Sequence, residues 1–285
     1  GSRVRMPWGI FDFLRSLMSW KNYHSHTYRC KHAKGDAVQF ARAARVGGAS
    51  VYGMSDHAAL PDDRWDSVRM AHDELDDYVA AVRHAQVEVP EITVLLGMEC
   101  EDVPEFRRYY EEELLGRRCF DYLIGAGHYT PLNGEWLNSF SELTNARALR
   151  AYSDHLAEMM ATGLYAFIAH PDVFGIAWER WDRDAETCAH DIFAAAADTK
   201  TPLEINGNGL RKRSIHTSEG ERKPYPWKPF WELAAEYPVT VICNSDAHRP
   251  EDALQGLPEL HTIAEENGLT LADLSYLEPP NQTVA

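Results

Sequence analysis

Seven times along this chain a short apolar run gives way to a segment with helical periodicity. The runs are KNYHSH (21–26), SVYGMSD (50–56), TVLLGME (93–99), DYLIGAGH (121–128), YAFIAHP (165–171), PLEING (202–207) and VTVICNSD (239–246). Between them, VQFARAARVGG stops on a glycine pair, SVRMAHDELDDYVAAVRHAQ spans 67–86, and SELTNARALRAYSDHLAEMMATG opens on Ser141 and closes on Gly163. AETCAHDIFAAAAD, PFWELAAEY and EDALQGLPELHTIAEENG complete the series. Apolar strands alternating with amphipathic helices predict a parallel sheet, because each helix must bury its apolar stripe against the sheet. About seven such units favour closure over an open sheet. The expectation is an α/β chain folded as a distorted (β/α)7 TIM-like barrel in a single domain, for which 285 residues, 45% of them hydrophobic, suffice. A doubly wound sheet is the alternative, but no GxGxxG or Walker-type turn occurs.

The barrel is expected over residues 21–270. Residues 1–20 would be an N-terminal extension, with Gly1-Ser2 reading as a cloning remnant, and 271–285 a C-terminal tail. The apolar stretch 7–20 is broken by Asp12 and Arg15 and is too short to span a bilayer, so no membrane role is expected. A formal net charge of −16 repels polyanions at long range, which disfavours long nucleic acid as a partner. The five cysteines show no CxxC spacing and predict free thiols in a reducing cytoplasm.

Polar residues gather at the ends of the runs. They are His24 and His26, Asp56 and His57, Glu99 and Glu101, His128, His170 and Asp172, Glu204, Asn206 and Asn208, and Asp246 and His248. Barrel enzymes build their sites at the C-terminal strand ends, so these groups should meet at one mouth. Buried together without partners they would be costly. Divalent cations are the natural partner, and imidazole with carboxylate suits Zn, Fe or Mn. His24 and His26 face the same side of a strand and can share one ion. His72, His84, His155, His190 and His261 fall on helical patterns and read as ordinary surface or core residues; His216 sits in a polar loop.

Taken together, the strand-end motifs resemble the polymerase and histidinol phosphatase (PHP) superfamily from about Lys21 to Pro250. The histidinol-phosphatase-like branch is the nearer match. His32 follows HxH, and LEINGNGLRKR, KPYPWKPFWEL and NSDAHRPED follow in order. The resemblance implies a barrel of seven βα units and three divalent metal ions. The first would be held by His24, His26, Glu99 and Asp246. Glu99 would bridge to a second, held also by His128 and His170, and a third would sit on His32, His57 and His248. Two segments depart from the family pattern and would line the pocket. Asp102 and Glu105 replace an aromatic and a glycine in ECEDVPEF, and GAGHYTPLNGEW replaces a shorter loop.

The expected chemistry is hydrolysis of a small phosphate monoester, with a water bridging two ions deprotonated as nucleophile. Glu99, His128, His170 and Asp246 form the expected catalytic set. Arg211 would clamp the phosphate in two-pronged fashion, with Lys212 or Arg249 as substitutes. Glu101 and Asp172 would hold a cationic substrate tail. The proton donor to the leaving group is unassigned, and a place in histidine biosynthesis follows from the resemblance alone. One rival is a phosphoesterase acting on small nucleotides or diesters. A second is an amidohydrolase, disfavoured because the fourth strand end offers His128 rather than lysine. A third is a non-catalytic metal-binding homologue.

Overall fold

The computed structural model describes residues 19–218 and 220–279. The expected amphipathic lead-in over 7–18 lies outside them, as do residues 280–285 of the C-terminal tail. In chain order the elements are β1 (Trp20–Asn22), α1 (Ala37–Val46), β2 (Ala49–Met54), α2 (Leu75–Glu88), β3 (Thr93–Glu101), β4 (Tyr122–Ala126), a hairpin of β5 (Tyr129–Leu132) and β6 (Glu135–Asn138), α3 (Ala146–Ala161), β7 (Phe167–Ile168), α4 (Arg183–Thr199), β8 (Leu203–Asn206), α5 (Asn208–Arg211), a hairpin of β9 (Ile215–Thr217) and β10 (Gly220–Arg222), α6 (Lys228–Ala234), β11 (Thr240–Asn244), α7 (Leu257–Glu266) and β12 (Thr270–Leu271). A π-helix, Tyr109–Arg117, leads into β4.

All seven expected runs lie in one eight-stranded sheet in the order β1-β2-β3-β4-β7-β8-β11-β12, with every neighbouring pair parallel. The eighth member, β12, extends it past the seven runs. Strands buried on both faces explain the near-continuous apolar runs, as in β3. One face packs on the helices through residues such as Phe40, Tyr78, Leu156 and Ile192. The other encloses a second cluster that includes Tyr23, Val51, Leu95, Tyr122 and Phe167. Tyr122 fills this interior and donates its hydroxyl to the Tyr23 carbonyl on β1 at 2.5 Å. Glycine is required opposite it: a Cβ at Gly53 would lie 2.0 Å from the Tyr122 hydroxyl, and one at Gly97 2.3 Å from its ring.

The sheet's two ends meet without a regular ladder. Ser25 bridges Ala247, and the His26 N–H donates to the Ala247 carbonyl at 2.9 Å. Asn22 Oδ1 accepts from the Ser245 N–H at 2.6 Å and Asn244 Oδ1 from the Tyr23 N–H at 2.7 Å. Meanwhile β12 covers the start of β11 through Thr240 and Val241.

Two helix starts differ from expectation. The α-helix of segment 67–86 begins only at Leu75, after a 3-10 turn at His72–Glu74. Glu74 reaches back to the Ala71 N–H at 2.8 Å and fixes that turn. Likewise α3 does not open on Ser141. Asn145 caps it, its Oδ1 accepting from the Ala148 N–H at 3.0 Å, while Glu142 is turned back onto the Asn138 N–H at 2.6 Å. Among the described residues no helix is long and apolar enough to cross a membrane. All five cysteines are free.

Candidate metal centre

Five of the imidazoles at the barrel mouth are oriented by a hydrogen bond on Nδ1, while Nδ1 of His57 and of His170 is buried without one. His24 Nδ1 meets Glu204 Oε1 at 2.8 Å and His128 Nδ1 meets Glu101 Oε1 at 2.6 Å. His32 Nδ1–H donates to the Cys30 carbonyl at 2.7 Å, and His248 Nδ1 lies 3.1 Å from the Asp246 carbonyl. His26 Nδ1 has a looser partner in Asp56 Oδ1, at 3.4 Å. Partners of this kind fix the tautomer of a metal-ligating histidine and leave Nε2 free to face an ion.

The inner nitrogens converge on two carboxylates. Glu99 Oε1 lies 3.4 Å from His24 Nε2, 3.5 Å from His128 Nε2 and 3.2 Å from His170 Nε2. Its Oε2 lies 2.8 Å from His57 Nδ1 and 3.5 Å from His26 Nε2. Asp246 Oδ1 is 3.0 Å from His26 Nε2 and 3.7 Å from His24 Nε2, and the outer nitrogen of His248, Nδ1, lies 3.4 Å from it. Despite this crowding, both Glu99 oxygens, Asp246 Oδ1 and His57 Nδ1 are buried without a hydrogen-bond partner. Buried polar atoms are rarely left so, and a cation among them would satisfy all of them together.

The groupings agree with this fit. His24, His26 and Glu99 could hold one ion, and His32, His57 and His248 another. Glu99 and His128 form a third grouping with His57, which so faces two of the three. His170 reaches the Glu99 side of the cluster through its Nε2, 3.2 Å from that of His128. Cys30 joins His26 and His248 in a further grouping that was not expected from sequence. His170 and Asp246 hold positive φ values of 30° and 48°, a conformation non-glycine residues adopt at a cost and retain chiefly at functional sites.

With the protein's own charges alone, protons divide unevenly across the mouth. Burial pushes His26 down, but Asp246, Asp56 and Glu99 more than offset it and raise it to about 9. Burial likewise opposes, and Glu204, Asp246 and Glu99 overcome, so that His24 stands well above its ordinary value. Burial and the charge on His26 press His248 down to about 3, and the same two causes hold His57 well below the usual range. Glu99 and Asp246 stay well below the usual carboxylate range because surrounding imidazoles outweigh the effect of burial.

A cavity of about 460 Å³ opens over the cluster, lined in part by Arg69, Tyr129, Asn138, Phe140, Lys212 and Tyr225. Lys212 is therefore where the sequence reading put it. Arg211 is not. Its guanidinium donates to the carbonyls of Gly207 (3.1 Å), Gln255 (3.3 Å), Ser245 (2.7 Å) and Asp246 (2.9 Å), so it ties α5 to the loop after β11 and has its donors occupied. Arg249 lines a separate concavity beside Arg211. Nor are Glu101 and Asp172 open to a substrate tail. Glu101 is buried between His128 and Arg69, whose Nη2 lies 3.1 Å from its Oε1. Asp172 Oδ2 accepts from the Trp227 N–H at 2.7 Å and the Trp231 Nε1–H at 3.0 Å. Of the two departing segments, β5–β6 does reach the cavity, through Tyr129 and Asn138. In ECEDVPEF the two departing residues turn away from it: Asp102 pairs with Arg107 and Tyr165, and Glu105 with Arg64. His72, His84, His155, His190, His216 and His261 stand outside the cluster.

Sequence reasoning missed Arg69, which sits in a stretch that reads as helix. It also gave Glu204 and Asp56 no role, although both stand at strand ends. The strand-end position was the available signal for those two.

A parallel barrel whose strand ends deliver histidines and acids to one mouth is the architecture of a recognised family. The family model described as the PHP domain matches residues 22–208, and the chain belongs to that family. A Deinococcus radiodurans protein named "probable histidinol-phosphatase" is 29% identical over 237 residues, covering 80% of this chain and 85% of the relative. Two solved structures share the fold. A candidate histidinol phosphatase from Listeria monocytogenes has a TM-score of 0.68 at 17% identity, covering 84% of this chain and 99% of that one. Histidinol phosphate phosphatase from Lactococcus lactis, solved with zinc, L-histidinol and phosphate, has a TM-score of 0.68 at 15% identity, covering 91% and 98%.

Proposed function

We propose that this chain is a metal-dependent phosphate monoester hydrolase and that histidinol phosphate is its substrate. The observation that carries the reading is the convergence of buried, unpartnered carboxylate oxygens and imidazole nitrogens beneath a cavity of small-molecule size. The family and the Deinococcus radiodurans relative support it. His24, His26, Glu99 and Asp246 would hold one divalent cation, Glu99, His128 and His170 a second, and His32, His57 and His248 a third, with Zn, Fe and Mn all suited to these donors. When bound, such ions supply an activated water and neutralise charge on the phosphoryl oxygens.

The chain's own residues do the remaining work. Glu204 and Glu101 hold His24 and His128 with Nε2 inward, so their lone pairs are free for ligation. Tyr129, Phe140 and Tyr225 wall the cavity with aromatic surface suited to a flat ring on the leaving group. Lys212 adds one positive charge at the mouth for an anionic ester. The test is phosphate release by freshly purified protein from histidinol phosphate, nucleoside monophosphates and a diester, with elemental analysis of the same sample. Strong preference for histidinol phosphate with bound divalent metal is expected. Preference for a nucleotide or diester would replace the substrate, and no hydrolysis by metal-replete protein would overturn the reading.

A further inference from the structure

We propose that Arg69 binds an anionic oxygen of the substrate through its unpaired Nη1 donor, the task the sequence assigned to Arg211. The inference rests on the phosphate-ester reading above. Arg69 is 2% exposed and lines the cavity beside His128 and Tyr129. A guanidinium carries five N–H donors in a planar fork and keeps its charge throughout the accessible pH range. Here Nη2 meets Glu101 Oε1 at 3.1 Å, while Nε and Nη1 are buried with no hydrogen-bond partner at all. Trp65 and Tyr129 flank it, their ring centres 5.2 and 5.9 Å from Cζ, and hold the plane of the fork without using those donors.

Several features make an oxyanion the fitting occupant. Nη1–H, on the opposite side of the guanidinium from Nε–H, offers one phosphoryl oxygen a charge-assisted hydrogen bond. Glu101 takes Nη2 and balances part of the charge, so the cation can lie close to a metal centre. Because Glu101 also holds His128 Nδ1, the fork is fixed relative to a candidate metal ligand, and an anion on it would lie on the His128 side of the cavity. Among the described arginines only Arg69 lines this cavity.

The experiment uses the metal-loaded protein with inorganic phosphate as probe, by calorimetry and as an inhibitor of hydrolysis, alongside Arg69→Lys and Arg69→Ala. Loss of a charge-assisted hydrogen bond predicts phosphate binding weakened about ten- to a hundredfold. The KM for histidinol phosphate should rise, metal content should be unchanged, and added guanidinium ion should restore part of the affinity in Arg69→Ala. Should Arg69→Ala fail to fold, Arg69→Lys, which keeps the charge and loses the fork, carries the same prediction. Phosphate affinity within twofold of the parent at full metal content would overturn the proposal, as would a loss of affinity that only tracks loss of metal. A parent protein that binds phosphate while its variants bind equally well sinks this inference alone. A parent that neither binds phosphate nor hydrolyses any monoester sinks the functional reading beneath it.

Discussion

Glu99 is the residue on which the centre turns. One buried carboxylate lies within 3.5 Å of nitrogens from five histidines, all on other strand ends. Removing one of those nitrogens should act locally. His128→Ala is expected to leave the fold intact by circular dichroism while lowering both metal content and turnover. Full activity at full metal content would contradict the shared-cation arrangement. The outer partners matter nearly as much. Glu204 fixes His24 Nδ1 and also accepts from the His170 N–H at 3.0 Å and the Asn206 amide at 2.7 Å. Glu204→Ala should weaken metal binding by about 10- to 100-fold, read by competition with a chelator of known affinity. An unchanged affinity would mean that packing alone orients the His24 ring.

At the scale of elements, periodicity locates helices better than it locates their ends. The polar residues of 141–145 look interchangeable as caps, yet only Asn145 has its side chain on the first turn of α3. Asn145→Ala should therefore cost about 1 kcal/mol of stability. Ser141→Ala, an exposed change away from any such contact, should fall within about 0.5 kcal/mol of the parent. Equal losses in chemical denaturation would show that the cap has been misplaced. The delayed start of α2 matters more, because it leaves 67–71 outside the helix, as a turn and bend, and Arg69 lines the cavity from there.

For the whole molecule, metal binding and protonation are linked. His24 and His26 sit above their ordinary pKa values, His26 at about 9, so near neutral pH both carry protons that a cation must displace. Adding zinc to chelator-treated protein at pH 7 should release protons, and less should be released as the pH rises through about 9. Calorimetry in buffers of different ionisation enthalpy measures this; absence of proton release at pH 7 would contradict it. Chelation should also lower the melting temperature without unfolding the chain, since cations bound only by the native mouth add to the stability of a core that is already buried.

The sequence alone determined the alternation of strand and helix and the residues at the strand ends. Both are local matters: strand and helix periods show in the order of apolar residues, and the ends of apolar runs show in composition. That is why the seven runs and the histidines and carboxylates at their ends were legible, whereas His32, off the strand ends, came only with the family resemblance. Tertiary structure decided which charged groups have spare donors and which are already occupied. Arg211 and Arg69 are equally cationic in the sequence. Three carbonyls from the loop after β11 and that of Gly207, one turn back, occupy the first, whereas a single carboxylate leaves two donors of the second unpaired. Hydrogen-bond satisfaction depends on partners brought together by folding across long separations, and no local pattern of residues records it.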